Sequence, residues 1–529
     1  MGWMLLMVVL STVSSFAQYY GQESNAGIKK YNAAMQLINF AYVDTVNDAK
    51  LVEKAIIETL KELDPHSVYI SKKDVRRANE PLEGNFDGIG VQFEILRDTI
   101  NVVHAIPGGP SEKLGIMSGD KIVKIDGETV VGKKITNQFV LDHLRGKRGT
   151  KVSVSIYRKG KKDLVDFTIT RDKIPINSVD AAYIIKPGIG YINLNKFAQN
   201  SMQEFTESVK MLRTQGMTNL ILDLRNNSGG YMGTAIDLSD EFLPSGRLIV
   251  YTQGRNSIRE DFHSTPRGLF ESGRIVILIN ENSASASEIV SGAIQDWDRG
   301  IIVGRRSFGK GLVQRPFNLP DSSQIRLTTA RYYNPSGKCI QKPYTDGVDK
   351  YYEDFSNRVR HGELIHPDSI KFPDSLKFYT SKKRIVYGGG GIMPDVFIPW
   401  DSTPISDYYL DLRRKNVINT YVSDYVDKSR SSLKSGYPEF SIFDRDFHVD
   451  SSFMEDFTAY AEKEGVKKDE KGYAASEKLI RSQIKAFIAQ KLWDMNEMFT
   501  VINQYDVEVL KAVEVMEDDA LFRKLQIDY

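Results

Sequence analysis

Between about residues 174 and 400, apolar strand-like runs alternate with helical segments, and this alternation constrains the fold of the chain more than any other feature. The apolar runs include Gly190–Leu194, Asn219–Leu224 and Ile275–Ile279. Helical periodicity covers the intervening segments Gly233–Phe242 and Ser287–Trp297. Strands that alternate with helices favour an α/β layered structure. The sequence therefore predicts an α/β core over residues 173–400.

The length of the chain, 529 residues, exceeds what one hydrophobic core usually serves, so we expect a multidomain protein. Apolar residues make up 41% and charged residues 26%, values that argue against long disorder and repeated membrane spans. The 70 Lys and Arg residues nearly balance 69 Asp and Glu, which gives a net charge of +1. Because no broad basic field results, we expect no nucleic-acid partner.

Cysteine and histidine usage bears on metal binding. Cys339 is the only cysteine, which excludes an internal disulfide framework and a thiolate-rich zinc site. The seven histidines never fall into an HExxH spacing. We therefore expect neither a metal nor another cofactor.

The first 17 residues indicate the cellular compartment of the protein. Met1–Phe16 is mainly apolar and leads through Ser15-Phe16 to Ala17, and the chain has no Lys or Arg before Lys29. This run is short for a membrane span, and Ala17 offers a small residue for cleavage, although the usual positive n-region is missing. A buried N-terminal helix is the alternative. We predict a signal peptide over residues 1–17 and export to the periplasm or cell envelope.

A β-rich segment follows a helical region that we place at residues 24–82. From Val91 to Asp172, short alternating strand-like runs are separated by Gly, Asp and Pro turns, with one helix near Gln138–Arg145. Gly108-Gly109-Pro110-Ser111 leads to Gly119-Asp120-Lys121-Ile122 within this pattern. The whole segment, residues 84–172, resembles a PDZ domain.

The PDZ resemblance implies a peptide-binding loop formed by Gly88, Ile89, Gly90 and Val91. Such a loop presents backbone N–H groups to the terminal carboxylate of a peptide, which then pairs with the adjacent strand edge. Glycine suits the loop because a residue without Cβ lets consecutive amides converge on an anion. The alternative is a structural β-turn in a domain that binds nothing.

Two further loops in the predicted α/β core follow apolar strands and precede helices. The first ends in Gly229-Gly230, whose amides face an oxyanion if the loop opens toward a site. The second contains Ser283, Ser285 and Ser287 among alanines, with the amide of Ala286 as another oxyanion donor. An ordinary β–α turn and a helix N-cap are the respective alternatives. The residues alone leave the choice among the three serines open.

Lys310 lies in the glycine-flanked segment Ser307-Phe308-Gly309-Lys310-Gly311 and is the candidate base for a serine nucleophile. A lysine acts as a base only when its amine is neutral, which an apolar site favours. A solvated surface lysine is one alternative. A phosphate-binding P-loop over residues 304–311 is another, but Gly311 lacks the hydroxyl for Mg²⁺ and the next residues predict a strand instead of a helix.

Taken together, these segments resemble, in order and spacing, the carboxyl-terminal processing (tail-specific) proteases, S41-type serine peptidases with a PDZ domain. The resemblance implies a core of the ClpP/crotonase type with the PDZ domain inserted. It also implies Ser285 as nucleophile, Lys310 as base and Gln314 as the residue that orients the lysine. The implied oxyanion donors are Gly229, Gly230 and Ala286.

The implied function is that of an exported serine endopeptidase that recognises substrate C-termini through its PDZ domain and hydrolyses peptide bonds. A proteolytically silent PDZ scaffold or chaperone of the cell envelope is the alternative, and an acyl-CoA enzyme is a remote third. Residues 401–529 show helical spacing. Dimerisation into a homo-oligomer, substrate handling and coverage of the core all stay open as roles for that region.

Overall fold

The computed structural model describes residues 22–106, 108–266, 268–400 and 406–529. The predicted signal peptide lies outside these residues. The chain forms two compact units. One consists of the described residues up to 72 together with residues 316–327, and the other consists of residues 73–315 and 328–529.

The N-terminal part of the first unit consists of two helices and a strand that the sequence did not predict. Its elements are α1 (Gln22–Ala41), α2 (Asp48–Lys61) and β1 (Val68–Ile70). Helix α2 is capped by Asn47, whose side chain accepts a hydrogen bond from the N–H of Lys50. Strand β1 pairs antiparallel with residues Gln324–Arg326 of the same unit. The N-terminal region is therefore helical with one added strand.

The second unit starts with the predicted β-rich segment. Its elements are α3 (Val75–Glu83), β2 (Asn85–Gly88), β3 (Val91–Leu96), β4 (Thr99–Ala105), α4 (Pro110–Lys113), β5 (Lys121–Ile125), β6 (Glu128–Thr129), α5 (Asn137–Leu144), β7 (Lys151–Tyr157), β8 (Val165–Thr170) and β9 (Asp172–Pro175). An antiparallel sheet has the order β3-β4-β5-β7-β8, and β2 pairs with β9. Alternate residues such as Ile100, Ile122 and Val154 fill a separate small core.

The α/β core follows. Its elements are β10 (Val179–Lys186), β11 (Ile189–Leu194), α6 (Ser201–Thr214), β12 (Asn219–Asp223), α7 (Met232–Asp240), β13 (Leu248–Gln253), β14 (Glu260–His263), β15 (Ile275–Ile279), α8 (Ala286–Asp296), β16 (Ile301–Gly304), β17 (Leu312–Asn318), β18 (Gln324–Tyr333), α9 (Val348–Arg360), β19 (Lys377–Tyr379), β20 (Ile385–Tyr387) and β21 (Val396–Phe397). The central sheet has the order β10-β11-β12-β15-β16-β21, and all neighbours except β10 and β11 run parallel.

Both faces of the central sheet are buried, which explains its uninterrupted apolar strands. Leu220 and Leu222 point into one core, which α6, α7 and α8 cover, while Ile221 between them points into another. Strand β15 divides in the same way, with Ile277 on the first face and Val276 on the second.

The helical C-terminal region is confirmed. It consists of α10 (Asp407–Arg414), α11 (Val417–Gly436), α12 (Phe440–Asp446), α13 (Ser451–Lys463), α14 (Glu470–Leu492), α15 (Met495–Asn503), α16 (Val507–Glu517) and α17 (Asp519–Lys524). Helices α10 to α15 build a core of their own. Helices α16 and α17 instead pack on the second face of the central sheet, where Val509, Val515 and Phe522 are buried.

Candidate active site

Three loops that the sequence singled out leave the same edge of the central sheet. Strands β12, β15 and β16 are adjacent and parallel, so their carboxyl ends meet there. Gly229 and Gly230 follow β12, Ser285 follows β15 and Lys310 follows β16. The topology thus brings together candidates that are up to 81 positions apart in the sequence (310 − 229).

Ser285 differs from its two serine neighbours in backbone and surroundings. It precedes α8 with φ 54° and ψ −111°, a strained conformation for a residue with a side chain. Its side chain is half-buried, whereas Ser283 and Ser287 are fully buried. Their hydroxyls donate to backbone carbonyls, that of Ser283 to Leu224 and that of Ser287 to Asn227, each at 2.8 Å. The geometry therefore favours Ser285, which sequence reasoning selected only through the family resemblance.

Glu288 joins the loop of Ser285 to the loop of Lys310. One carboxylate oxygen, Oε2, accepts from the N–H of Ser285 at 2.8 Å and from the N–H of Lys310 at 2.9 Å. The other, Oε1, accepts from the N–H of Gly309 at 2.7 Å and from the hydroxyl of Ser307. Burial raises the pKa of Glu288 to about 7, and these hydrogen bonds oppose the rise. Glu288 therefore fixes two backbones at once.

Tyr332 connects the same two loops through their carbonyl groups. Its hydroxyl lies 3.0 Å from the carbonyl oxygen of Ser285 and 2.7 Å from that of Lys310. The side chain is buried, and burial raises its pKa well above the ordinary tyrosine value, so the hydroxyl keeps its proton. Glu288 holds the N–H groups of Ser285 and Lys310, and Tyr332 holds their carbonyls.

Lys310 is half-buried, and its Nζ donates a hydrogen bond to Oε1 of Gln314 at 3.2 Å. Gln314 lies on β17, which begins two residues after Lys310. A P-loop requires a helix at that point, so the strand excludes the phosphate-binding alternative.

Positions 229 and 230 require glycine because neighbouring backbone atoms lie where a Cβ would be. Gly229 has φ 100°, and a Cβ on it would lie 2.8 Å from the carbonyl oxygen of Ala284 and 2.9 Å from Cβ of Ser285. A Cβ on Gly230 would lie 2.0 Å from the carbonyl oxygen of Phe197. The N–H of Gly229 donates to Oδ1 of Asn227 at 2.9 Å, an engagement that the sequence did not predict. Gly229 therefore places bare backbone directly against the Ser285 loop.

Of the predicted PDZ loop, Ile89 and Gly90 lie between β2 and β3, whereas Gly88 ends β2 and Val91 begins β3. The carbonyl of Ile89 accepts from the N–H of Ser111 at 3.1 Å and from its hydroxyl at 2.6 Å, and the N–H of Ile106 donates to the carbonyl of Gly90 at 2.9 Å. Gly90 has φ 73°, a conformation that favours glycine. A cavity of about 220 Å³ adjoins this loop, and it is lined mainly by apolar residues, including Ile89, Val91, Phe93, Val140, Leu141 and Leu144.

Sequence reasoning missed two residues that shape the site. Glu288 lies three residues after Ser285, the spacing of a helix capping box, and this spacing was the available signal. Tyr332 carries no motif at all. Within the described ranges, no group of His, Cys, Asp and Glu side chains is arranged to hold a metal ion. No helix in those ranges has both the length and the apolar character of a membrane span.

Comparisons with known proteins cover most of the chain. Peptidase family S41 matches residues 188–352, a PDZ domain matches residues 88–169 and the activating protease CtpB N-terminal domain matches residues 10–74. A family of unknown function matches residues 408–494.

Individual relatives agree with these matches. A carboxy-terminal-processing protease of Bartonella bacilliformis is 36% identical over 60% of this chain and 74% of its own length. The carboxy-terminal processing protease CtpA of Bacillus subtilis is 32% identical over 64% of this chain and 72% of its own. Among solved structures, a photosystem II D1 C-terminal processing protease matches 71% of this chain and 93% of its own, with 26% identity and a TM-score of 0.36.

Proposed function

Because the chain belongs to the carboxy-terminal processing proteases of peptidase family S41, and is therefore a serine peptidase, we propose that Ser285 is its nucleophile and Lys310 its general base. One observation carries the proposal. Glu288 accepts from the N–H groups of both residues, and Tyr332 lies within hydrogen-bond distance of both of their carbonyls. Two buried side chains thereby hold the backbones of Ser285 and Lys310 at fixed positions relative to each other, as a catalytic pair requires.

In the proposed reaction, the neutral amine of Lys310 takes the hydroxyl proton of Ser285 while Oγ forms a bond to the substrate carbonyl carbon. The protonated amine then gives that proton to the leaving nitrogen as the C–N bond breaks, which leaves an acyl-enzyme. Water attacks the acyl-enzyme by the same route and releases the second product. Gln314 directs the amine through its hydrogen bond to Nζ.

The negative charge that develops on the carbonyl oxygen needs hydrogen-bond donors. We assign this role to the backbone N–H of Ala286, in the first turn of α8, and to that of Gly230. Gly229 contributes by its missing side chain, because its N–H is engaged with Asn227 and a Cβ would crowd Ser285. This assignment refines the predicted set of Gly229, Gly230 and Ala286.

We further propose that the PDZ domain binds substrate C-termini at Gly88, Ile89, Gly90 and Val91. Backbone N–H groups of this loop would receive the terminal carboxylate, and the peptide would pair with β3, which lies at the edge of its sheet. The adjoining apolar cavity suits an apolar last side chain. Titration of wild-type protein with a peptide that ends in leucine, and with the same peptide amidated at its C-terminus, tests this binding mode. Equal affinity for both peptides would contradict it.

Export is the remaining part of the proposal, and the apolar run Met1–Phe16 with Ala17 after it supports export to the periplasm or cell envelope. Sequencing the N-terminus of protein recovered from the envelope fraction tests this point. A first residue that follows Ala17 is expected. Recovery of the chain only from the cytoplasmic fraction, with Met1 intact, would contradict export.

Proteolysis itself is tested by incubating an unfolded reporter protein with wild type and with a Lys310→Ala variant. We expect cleavage by wild type and none by the variant. If wild type bound C-terminal peptides but cleaved nothing, the PDZ scaffold would be the better description of the protein.

A further inference from the structure

Helix α16 packs on the second face of the central sheet, and acidic residues at its start contact residues that follow two of the strands leading to the site. Its buried residues Val509, Ala512 and Val515 pack in the same core as Ile221 and Val276 of the sheet. The acidic residues at its start, Asp506 and Glu508, lie at the carboxyl ends of the parallel strands, because they contact residues that directly follow those strands.

Arg225, which follows β12, is the first of these partners. Its Nη1 donates to the two carboxylate oxygens of Asp506 at 3.1 and 2.9 Å and to Oε2 of Glu508 at 3.1 Å. The rest of its guanidinium binds Asp223 at the end of β12, with Nε 3.0 Å from Oδ1. The loop that leads to Gly229 is thereby tied to the start of α16.

Arg305, which follows β16, is the second partner. Its Nη1 donates to Oε1 of Glu508, and its Nε donates to Oε2 of Glu281 at 2.8 Å. Glu281 lies in the loop after β15. Glu508 therefore bridges Arg225 and Arg305. Through its hydrogen bond to Glu281, Arg305 also binds the loop that leads to Ser285.

These charges are mostly removed from solvent. The side chains of Arg305 and Glu281 are 4% and 6% exposed, and those of Arg225 and Glu508 are 13% and 12% exposed. Loss of one member of a buried ion pair leaves the other charge unpaired, which is far more costly than loss of a surface pair. These ion pairs therefore favour a single arrangement of the loops that follow β12, β15 and β16.

Each tied residue lies close in sequence to a proposed catalytic group. Arg225 precedes Gly229 by four residues, Glu281 precedes Ser285 by four and Arg305 precedes Lys310 by five. We propose that Asp506 and Glu508 are positioning residues that set the relative placement of the three loops from beneath the site. This inference rests on the proposed roles of Ser285 and Lys310, and it gives part of the C-terminal region a role in catalysis. Small displacements of catalytic groups lower rates strongly. Loss of this network, which we call the clamp and which consists of Asp506, Glu508, Arg225, Arg305 and Glu281, should therefore lower kcat.

The test compares Glu508→Gln with Asp519→Asn. Asp519 also forms an ion pair between the C-terminal region and the sheet, but its partner Arg274 precedes β15 and so lies at the end opposite Ser285. Both variants and wild type are assayed for kcat and KM on an unfolded reporter, for binding of a C-terminal peptide and for the thermal midpoint. We expect Glu508→Gln to lower kcat at least tenfold with KM and peptide binding unchanged, and Asp519→Asn to keep kcat within twofold.

A kcat of Glu508→Gln within twofold of wild type would overturn the inference, as would equal losses of kcat in the two variants at equal shifts of the thermal midpoint. Asp506→Asn removes a carboxylate that binds Arg225 but leaves the bridge through Glu508, and it serves if Glu508→Gln does not fold. We expect it to lower kcat about threefold, and an unchanged kcat would count against the clamp. Ser285→Ala in the same assay separates the two ideas. Its continued hydrolysis would refute the proposed nucleophile, whereas an inactive Ser285→Ala beside a fully active Glu508→Gln would refute the clamp alone.

Discussion

Glu288→Gln is the most informative single substitution, because it changes the chemistry of the bridge and almost nothing of its shape. In wild type, both oxygens of Glu288 accept two hydrogen bonds each, from Ser285 and Lys310 on one side and from Gly309 and Ser307 on the other. An amide must place an NH₂ group where one of these oxygens lies. An NH₂ group cannot accept, so in the place of Oε2 it leaves the N–H groups of Ser285 and Lys310 facing another donor. In the place of Oε1 it strands the N–H of Gly309, because the Ser307 hydroxyl can turn and accept.

The magnitude follows from two opposing contributions. One or two lost hydrogen bonds to a charged group cost about 1.5 to 6 kcal/mol. Against this, the variant no longer buries a charge. The rise of the Glu288 pKa from 4.5 to about 7 corresponds to about 3 kcal/mol, a net cost that already includes the compensation by the hydrogen bonds, so the amide avoids at least this much. The free energy of unfolding should therefore fall by at most about 3 kcal/mol. The rate should suffer more, by about 100-fold in kcat, because a misplacement of about 1 Å between reacting groups costs that much.

The assay is kcat for cleavage of an unfolded reporter at pH 8, with the thermal midpoint measured on the same samples. Glu204→Gln is the matched control. Glu204 is a half-buried carboxylate that accepts from the N–H groups of Ser178 at 2.7 Å and Val179 at 2.9 Å, but it lies on α6, outside the three site loops. We expect its variant to keep kcat within threefold. If Glu288→Gln also kept kcat within threefold of wild type, the bridge would have no catalytic role and the reasoning would be refuted.

Three further predictions concern the same site. Tyr332→Phe should lower kcat about tenfold without changing KM, because the carbonyls of Ser285 and Lys310 lose their shared donor, and steady-state kinetics checks this. Gly229→Ala should lower kcat at least about 100-fold, since its Cβ would lie 2.8 Å from a carbonyl oxygen at φ 100°, and the same kinetics decides. Between pH 4.5 and about 7 the folded chain binds more protons at Glu288 than the unfolded chain does, so the free energy of unfolding should fall as pH rises through this window. Other carboxylates with raised pKa values contribute in both proteins, so the test is the difference in unfolding free energy between wild type and Glu288→Gln, which should change by up to about 3 kcal/mol across this window in denaturant titrations.

Much of the fold is predictable from the sequence because its signals are local. The alternation of apolar strands and helices predicts the α/β core, and the turn-rich strands predict the PDZ domain. Gly229 and Ser285 lie in predicted strand–loop–helix segments and Lys310 in a glycine-flanked loop, but only the order of the strands in the sheet shows that the three loops share one edge. Selection of Ser285 needed the family resemblance, and the structure supplies a physical reason, because the hydroxyls of Ser283 and Ser287 donate to backbone carbonyls.

The features that the sequence does not predict depend on contacts between distant parts of the chain. Tyr332 lies 47 positions from Ser285, and nothing in its neighbourhood marks it as a partner of that loop. Helical spacing indicates α16 as a helix but does not reveal that it covers the central sheet, and the acidic residues at its start resemble an ordinary helix cap. Strand β1 is missed because its three residues pair with a segment far along the chain.

The catalytic pairing of Ser285 and Lys310 is tested by the rate at which Ser285→Ala, Lys310→Ala and Ser283→Ala cleave an unfolded reporter. The fully buried hydroxyl of Ser283 donates to a backbone carbonyl, so its variant controls for the loss of a serine from the same loop. We expect cleavage to fall below detection in the first two variants and to persist in the third. Cleavage by Ser285→Ala or Lys310→Ala at more than about one hundredth of the wild-type rate would contradict the pair.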